Sequence, residues 1–387
     1  MSKRETIQEY ERILRWQHWI LKLIGCDVYS VNFRVTSLTV TIVFLACFFV
    51  AVSFVDLYLF RDDVYNFMFV LVTLFYAIVG CCRLGFMLTS SKSFSSLVAE
   101  AKETYKQASS DDSQQQILFR YTKLLKQCVT IYSLSFIGGS IIAAILPLIF
   151  YPWDGRKMLP FGVVLPFFDP SSEEAYQLNY IYQISCILWT PPGLTATQNI
   201  YFVLAFNICI QYEILIVKLD ELDTMIATSA EESKGKAIHE MIAEIIRYQH
   251  KVARFTAEIE RLYSMQLFVE ISSNALQIVM TLFVLHIDIW MPGYLIIFIS
   301  TFQLFIFSFL GTLLEIKSDM FCERLYSVSW HSICNEEQKN IRFMLQQSQH
   351  PVNLTYGGVL PLNMNLFLSD MFAYWAESSV QLTNSAH

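Results

Sequence analysis

The last apolar stretch of the chain, 359–382, carries side chains unsuited to a helix in plain lipid contact: Asn363, Asn365, Asp370, Glu377, Ser378, Ser379 and Gln381. Each polar group in hydrocarbon costs free energy unless it is paired or wetted, so this helix needs water or copies of itself as neighbours. Asn363, Asp370 and Glu377 recur every seven residues, with Gln381 on the same face. Ser369, Ala373, Ala376 and Val380 form a smaller-residue face roughly 100° away at about 3.6 residues per turn. The chemistry within reach of such a helix is the passage of ions. Either the small face looks into a pore and the acidic face meets a neighbouring helix, or the two faces exchange roles.

No catalytic constellation competes with this. The seven histidines are dispersed. His286 with Asp288 reads as a solvated interfacial pair rather than a metal site. P-loop, GxSxG and HExxH patterns are absent. The chain therefore reads as a non-enzyme needing no cofactor, metal or nucleic-acid partner.

The elements that must position the last helix follow from composition. Hydrophobic residues make up 54% of the chain and charged ones 16%, with a mean hydropathy of +0.42. The apolar residues come in long blocks, which predicts an all-α, polytopic membrane protein. The opening Met-Ser-Lys-Arg-Glu leads into a charged stretch with no early apolar core, so no signal peptide is expected. Nine scattered cysteines, nearly all within or beside apolar blocks, argue against an external disulfide framework.

Apolar segments at 35–60, 64–89, 127–151, 178–217, 262–287, 291–316 and 359–382 are each near or beyond the roughly 20 residues that cross a bilayer. The fourth contains Thr190-Pro191-Pro192-Gly193, where lost donors and ring clashes predict one long, broken helix. Seven spans result. The segments 1–34, 90–126, 218–261 and 317–358 hold 23 of the 27 Lys and Arg residues. That bias puts the N-terminus and these segments inside, and the C-terminus outside, with 383–387 as an external tail. Arg83, near the inner end of span two, is expected to snorkel to the interface. Glu270 and Asp56 are intramembrane carboxylates by position, or lie close to an interface. The sequon Asn353-Leu354-Thr355 falls on the inner side and is discounted.

Within 1–34, Ile7, Tyr10, Leu14 and Leu21 recur at helical spacing. This suits an amphipathic helix lying on the membrane face or docking on the inner side of its own protein. The 218–261 segment alternates charge around Ile242, Ile245 and Ile246. It reads as helical extensions of spans four and five, either a solvated hairpin or an oligomer-forming anchor. Prolines and aromatics in 152–177 predict a folded outer lid. Spans two to four bring Phe67, Phe69, Val70, Phe75, Tyr76, Ile142, Leu146, Phe150, Tyr180, Tyr182 and Trp189 toward the outer half of the bundle. Such an aromatic, mostly apolar wall suits a small lipophilic ligand, although ordinary packing would use the same residues.

Asn207-Ile-Cys-Ile-Gln211-Tyr-Glu213-Ile-Leu with Leu219, then Gly311, Ser318, Tyr326 and Trp330, then Ser348-Gln349-His-Pro351, Leu354-Thr355-Tyr-Gly357 and Pro361-Leu362, resemble the signatures of insect odorant receptors. The resemblance covers the whole chain in span number and order, and is most specific in the C-terminal block. It implies a ligand-gated, non-selective channel for monovalent and divalent cations. It also implies tetramers joined through an inner anchor of spans four to seven, including Gln211, Glu213, Tyr326, Trp330, Ser348 and Pro351. At 387 residues with a short 218–261 segment, the chain resembles an odorant-tuning subunit that assembles with a co-receptor in the plasma membrane of olfactory sensory neurons. Lining up Pro361-Leu-Asn-Met-Asn365 with the family places Val380 at the gate, beside Ala376, Glu377, Ser379 and Gln381. The final Glu377-Ser378-Ser379 departs from the family's aromatic-rich ending. A G-protein-coupled receptor would need the opposite orientation, a transporter would show an internal repeat, and a gustatory-type channel would share topology and mechanism.

Overall fold

The computed structural model describes residues 3–27, 29, 34–109, 111–154, 159–166, 168, 172–228, 234–287, 291–350 and 354–369. Within them the chain is helical except for one small hairpin. The helices are α1 (Lys3–Leu23), α2 (Ser37–Leu59), α3 (Val64–Thr89), α4 (Ser91–Ala108), α5 (Asp112–Ser133), α6 (Gly139–Asp154), α7 (Glu173–Ala227), α8 (Lys234–Ile287), α9 (Met291–Ser327) and α10 (Asn335–Ser348). A π-helical turn, Leu134–Gly138, joins α5 to α6 without interrupting the rod. Among the described residues six helical rods are long and apolar enough to cross a membrane: α2, α3, α5 with α6, α7, α8 and α9. The expected seventh is helical at 364–369, and its remainder lies outside the described residues.

The bundle is organised around α7. Every residue from Leu194 to Tyr212 is buried, and polar side chains within the stretch, such as Thr197, Gln198, Asn207 and Gln211, are paired inside the bundle. The expected break at Pro191-Pro192 is corrected here, because α7 is helical from Glu173 through both prolines to Ala227. A proline removes its own N–H and crowds the preceding turn, and in a packed bundle neighbouring side chains can hold the helix in register. Here the Leu194 carbonyl, just past the prolines, accepts from Arg83 Nη1 at 2.6 Å and from Thr197 Oγ1 at 2.9 Å.

Both expectations for the N-terminal segment can be compared with α1. Tyr10, Ile13, Leu14, Ile20 and Leu21 are buried in the main core, and the Tyr10 ring stacks on Tyr105 at 3.9 Å. The apolar face thus docks on the protein itself. At the far ends of α7 and α8, Lys218 Nζ meets Glu244 Oε1 at 2.5 Å. Arg324 of α9 pairs with Asp220 and Asp223 of α7. Helix α10 rests on α8, where Gln249 Nε2 donates to the Met344 carbonyl at 3.3 Å and to Ser348 Oγ at 3.1 Å.

Strands β1 (Thr355–Tyr356) and β2 (Leu360–Pro361) pair antiparallel and dock the start of the final segment. Gly357 and Gly358 adopt φ of 63° and 76°, a region in which Cβ clashes exclude most residues. The Glu260 carboxylate accepts from the Thr355 N–H at 2.9 Å, and Tyr356 Oη meets Ser272 Oγ at 2.6 Å. Thr312 Oγ1 accepts from the Met364 N–H at 2.8 Å. Gly311 is where the backbones touch, since a Cβ there would lie 1.7 Å from the Leu362 carbonyl oxygen. Gly311→Ala must therefore push the final segment off α9, at about 1–3 kcal/mol for an overpacked contact. Thermal unfolding of the detergent-solubilised protein should show a lower midpoint for Gly311→Ala. Gly85→Ala, where nothing lies within 4 Å, should leave the midpoint level or raised.

Candidate functional site

One cavity of about 240 Å³ opens between α2, α3, α5–α6, α7 and α9. Its wall is apolar: Ile42, Leu45 and Phe49 from α2, Tyr76, Ala77 and Leu84 from α3, Ile187 and Leu194 from α7, and Ile296 and Ile299 from α9. Phe136 of the π turn and Gly139 and Ser140 just after it complete one side. The turn's extra residue per repeat is a device common at functional sites, and Gly139 lets α9 approach so closely that a Cβ would lie 2.7 Å from Ile299 Cδ1. Most hydroxyls in the wall spend their protons within their own helices. Thr73 donates to the Val70 carbonyl at 2.9 Å, Ser140 to Phe136 at 2.7 Å, and Ser185 to Ile181 at 2.9 Å. They therefore offer a ligand lone pairs, while shape and apolar area supply most of the selection.

One end of the cavity is closed by the loop between α6 and α7, through Pro160 and Phe161. Three buried polar side chains hold that loop by its backbone. Gln183 Oε1 accepts from the Phe161 N–H at 2.8 Å, and its Nε2 donates to the Phe161 and Val163 carbonyls at 3.1 and 2.7 Å. Asn179 Oδ1 accepts from the Leu165 N–H at 2.7 Å, and its Nδ2 donates to the Phe168 carbonyl at 3.0 Å. Asp56 Oδ2 accepts from the Val164 N–H at 2.7 Å. The loop expected to form a lid is pinned over its described residues, and the buried carboxylate of Asp56 serves as one of its pins. At the other end Ile24 and Cys26, just past α1, line the wall.

Beneath the cavity lies a buried ion pair. Arg83 and Glu270 are 2% and 1% exposed. Arg83 Nε donates to Glu270 Oε2 at 3.2 Å, and Nη2 reaches both Glu270 Oε1 and Gln198 Oε1, the latter at 2.8 Å. Nη1 donates to the Leu194 carbonyl and to Thr197 Oγ1 at 3.2 Å. All five guanidinium N–H groups are therefore engaged. Glu270 also accepts from Gln303 Nε2 of α9. One cluster joins α3, α7, α8 and α9, and Arg83 is itself part of the cavity wall. The expected snorkelling of Arg83 is corrected, because an opposite charge and a ring of acceptors are available inside the bundle. Two opposite charges in separate apolar blocks are the signal in the sequence that could have suggested this pairing.

The other expected residues are distributed as follows. Tyr76, Tyr182 and Trp189 line the cavity. Val70 packs with Val52 and Val163 beneath the lid, and Phe69 packs around Val72 and Val284. Tyr180 donates to the Ala144 carbonyl. Ile142 is exposed on the bundle surface, and Leu146 is half-buried. Phe67 and Phe75 are half-buried on α3 and, like these five, do not line the cavity. The Phe150 side chain, Pro351 and the gate residues Ala376, Glu377, Ser379, Val380 and Gln381 lie outside the described residues. Glu213 sits between Arg120 and Lys317, the latter at 2.8 Å, and accepts from Tyr121 Oη at 3.0 Å. Gln211 donates to Asn207 Oδ1 at 2.7 Å, and Trp330 Nε1 donates to the carbonyl of the exposed Tyr326 at 3.3 Å. Ile24, Phe49, Arg83, Phe161 and Ile299 are lining residues that sequence reasoning missed, since no local pattern brings five elements to one place.

The family model described as 7tm Odorant receptor matches residues 63–372. Putative odorant receptor 83c of Drosophila melanogaster is 22% identical over 251 residues, which are 62% of this chain and 63% of that protein. The match therefore spans less than two thirds of that relative. Odorant receptor Or2 of Anopheles gambiae is 21% identical over 300 residues, 74% of this chain and 76% of that protein. The fold superposes on the insect olfactory receptor OR5 from Machilis hrabei with a TM-score of 0.78 at 14% identity, covering 97% of this chain and 99% of that one. The same receptor in complex with eugenol gives 0.75 at 15% identity, again covering 97% and 99%. The chain, a multi-pass membrane receptor and not an enzyme, belongs to the insect odorant receptor family.

Proposed function

We propose that this chain is an odorant-tuning subunit of a non-selective cation channel, assembled as a heterotetramer with the odorant co-receptor in the plasma membrane of olfactory sensory neurons. A small volatile ligand occupies the cavity under the lid, and the last helix lines the pore. The observation that carries this reading is that Arg83 belongs both to the cavity wall and to the polar cluster that includes α8 and α9. Those two helices hold the start of the final segment, through Glu260, Ser272, Gly311 and Thr312. The eugenol complex of the Machilis receptor supports a small volatile as the ligand class.

In this reading the N-terminus is inside and the C-terminus outside, as the Lys and Arg bias requires. The extensions of α7, α8 and α9, with α10, form the inner anchor, and the Glu213 cluster stiffens it. A ligand shifts the closed–open balance only by binding one state more tightly. Val380 side chains narrow and dewet the closed path, and Gln381 and its neighbours meet ions when it widens. The acidic excess on the outer side, Asp62, Asp63, Asp154, Asp169, Glu173, Glu174 and Asp288 against Arg61, Arg156 and Lys157, draws cations to the mouth.

Whole-cell recording with the co-receptor and a panel of volatiles tests the reading. Trp189→Ala and Tyr182→Ala should change the rank order of odorants, with shifts in half-maximal concentration of about tenfold for those that fill the vacated wall, each tenfold being about 1.4 kcal/mol. Val380→Ala should raise basal current and leave the rank order alone. Currents carried mainly by anions, or none with any volatile, would contradict the proposal. An epitope at the C-terminus should be labelled on intact cells. Labelling only after permeabilisation would instead favour a G-protein-coupled receptor.

A further inference from the structure

Helix α1 buries one face in the bundle and leaves another uncovered. On that second face Arg12, Trp16, Trp19 and Leu23 follow at three- and four-residue steps, and so form one stripe. Trp16 is 39% exposed and Trp19 62%, with Leu23 also exposed. The Arg12 side chain is 74% exposed and, among the described residues, pairs with Glu9 at 3.1 Å. Arg15 and Lys22 flank the stripe, exposed, with Glu11 beside them and Glu5 two turns before Arg12 as the exposed acids. Two indoles with a leucine among three cations are out of place in bulk water. Together they match the headgroup layer, where Trp rings settle and Lys and Arg meet phosphate and carboxylate headgroups. Val35, Val40 and Phe44, at and just before the start of α2, are exposed as well, a surface suited to lipid tails.

We infer that this stripe is a binding site for anionic phospholipid of the inner leaflet, and that the bound lipid sets the position of the cavity's inner end. The second half follows from connectivity. Leu23 is followed at once by Ile24, and both Ile24 and Cys26 line the cavity. Between them Gly25 turns the chain with φ of +68°, its carbonyl accepting from Thr39 Oγ1 at 2.5 Å. A Cβ on Gly25 would lie 2.8 Å from the Thr39 nitrogen, so this corner has no slack. A lipid that pulls Trp19 and Lys22 toward the headgroups therefore acts on the wall that meets the odorant. The inference rests on the N-terminus-inside reading, because anionic lipids are concentrated in that leaflet.

The test uses the full chain with its co-receptor, in vesicles of phosphatidylcholine containing phosphatidylserine, with bromine on the acyl chains of one lipid or the other at equal bromine content. Tryptophan quenching should be stronger when the serine lipid is brominated, and the difference should vanish in Trp16→Phe/Trp19→Phe. In Arg12→Gln, Arg15→Gln and Lys22→Gln the preference for the anionic lipid should fall about fivefold per residue changed. Odorant-driven ion flux in the same vesicles should need several-fold more odorant when phosphatidylserine is omitted. Equal quenching by both lipids, or no contribution from Trp16 and Trp19, overturns the inference, the latter by showing the stripe covered by another subunit. Quenching is read without odorant, so a failure of channel function is distinguished from a failure of lipid binding.

Discussion

A charge buried inside a helical bundle must find its opposite there, and in this receptor that requirement falls on Arg83 and Glu270. Both are almost wholly buried, and each brings further partners from α7 and α9. Removing one member of such a pair leaves the other uncompensated, at about 3–5 kcal/mol. The pair therefore acts as a joint, fixing how α3, α7, α8 and α9 stand relative to one another. With all five N–H groups engaged, Arg83 has none left to grip a ligand. Its place in the cavity wall puts that wall in direct contact with the joint.

The cavity follows from the same constraint. Helix α7 is buried along its middle because α3, α5, α8 and α9 all pack on it, and the space above the ion pair is what these neighbours leave unfilled. Polar side chains near the lid are spent on the loop backbone, with Asp56, Asn179 and Gln183 each holding main-chain groups. The wall is thereby left to apolar contacts. That economy suits volatiles, which bring little to bind with besides shape and area. In the proposed channel the final segment responds because it stands on the stretches of α8 and α9 adjoining Glu270 and Gln303.

Much of this was legible in the sequence, and the limits have physical causes. Helix number and order follow from block lengths, because a bilayer sets a minimum span. The helical extensions beyond spans four and five follow from alternating charge with an isoleucine face. Pro191-Pro192 misled because local rules price the missing donors and not the tertiary contacts that hold α7 together. Arg83 misled for a related reason, since its partner lies 187 positions away and a terminal charge in an apolar block looks the same whether it snorkels or pairs. Three of the expected ligand residues, Tyr76, Tyr182 and Trp189, line the cavity. The others on α3 and α6 could not be sorted without rotation angles, and the π turn at Leu134–Gly138 changes that angle within the third rod. The hairpin before the final helix was signalled by Gly357-Gly358 and went unread.

The measurement that bears most directly on the coupling is a double-mutant cycle on odorant-gated current, using Arg83→Gln, Glu270→Gln and the two together, with surface expression recorded in parallel. If the pair joins the cavity to the final segment, each single change should depress the maximal current per surface receptor. The double variant should then recover a large part of it, giving a coupling of about 0.5–3 kcal/mol. Strictly additive losses, or single variants that gate like the unaltered receptor at normal surface density, would contradict the account.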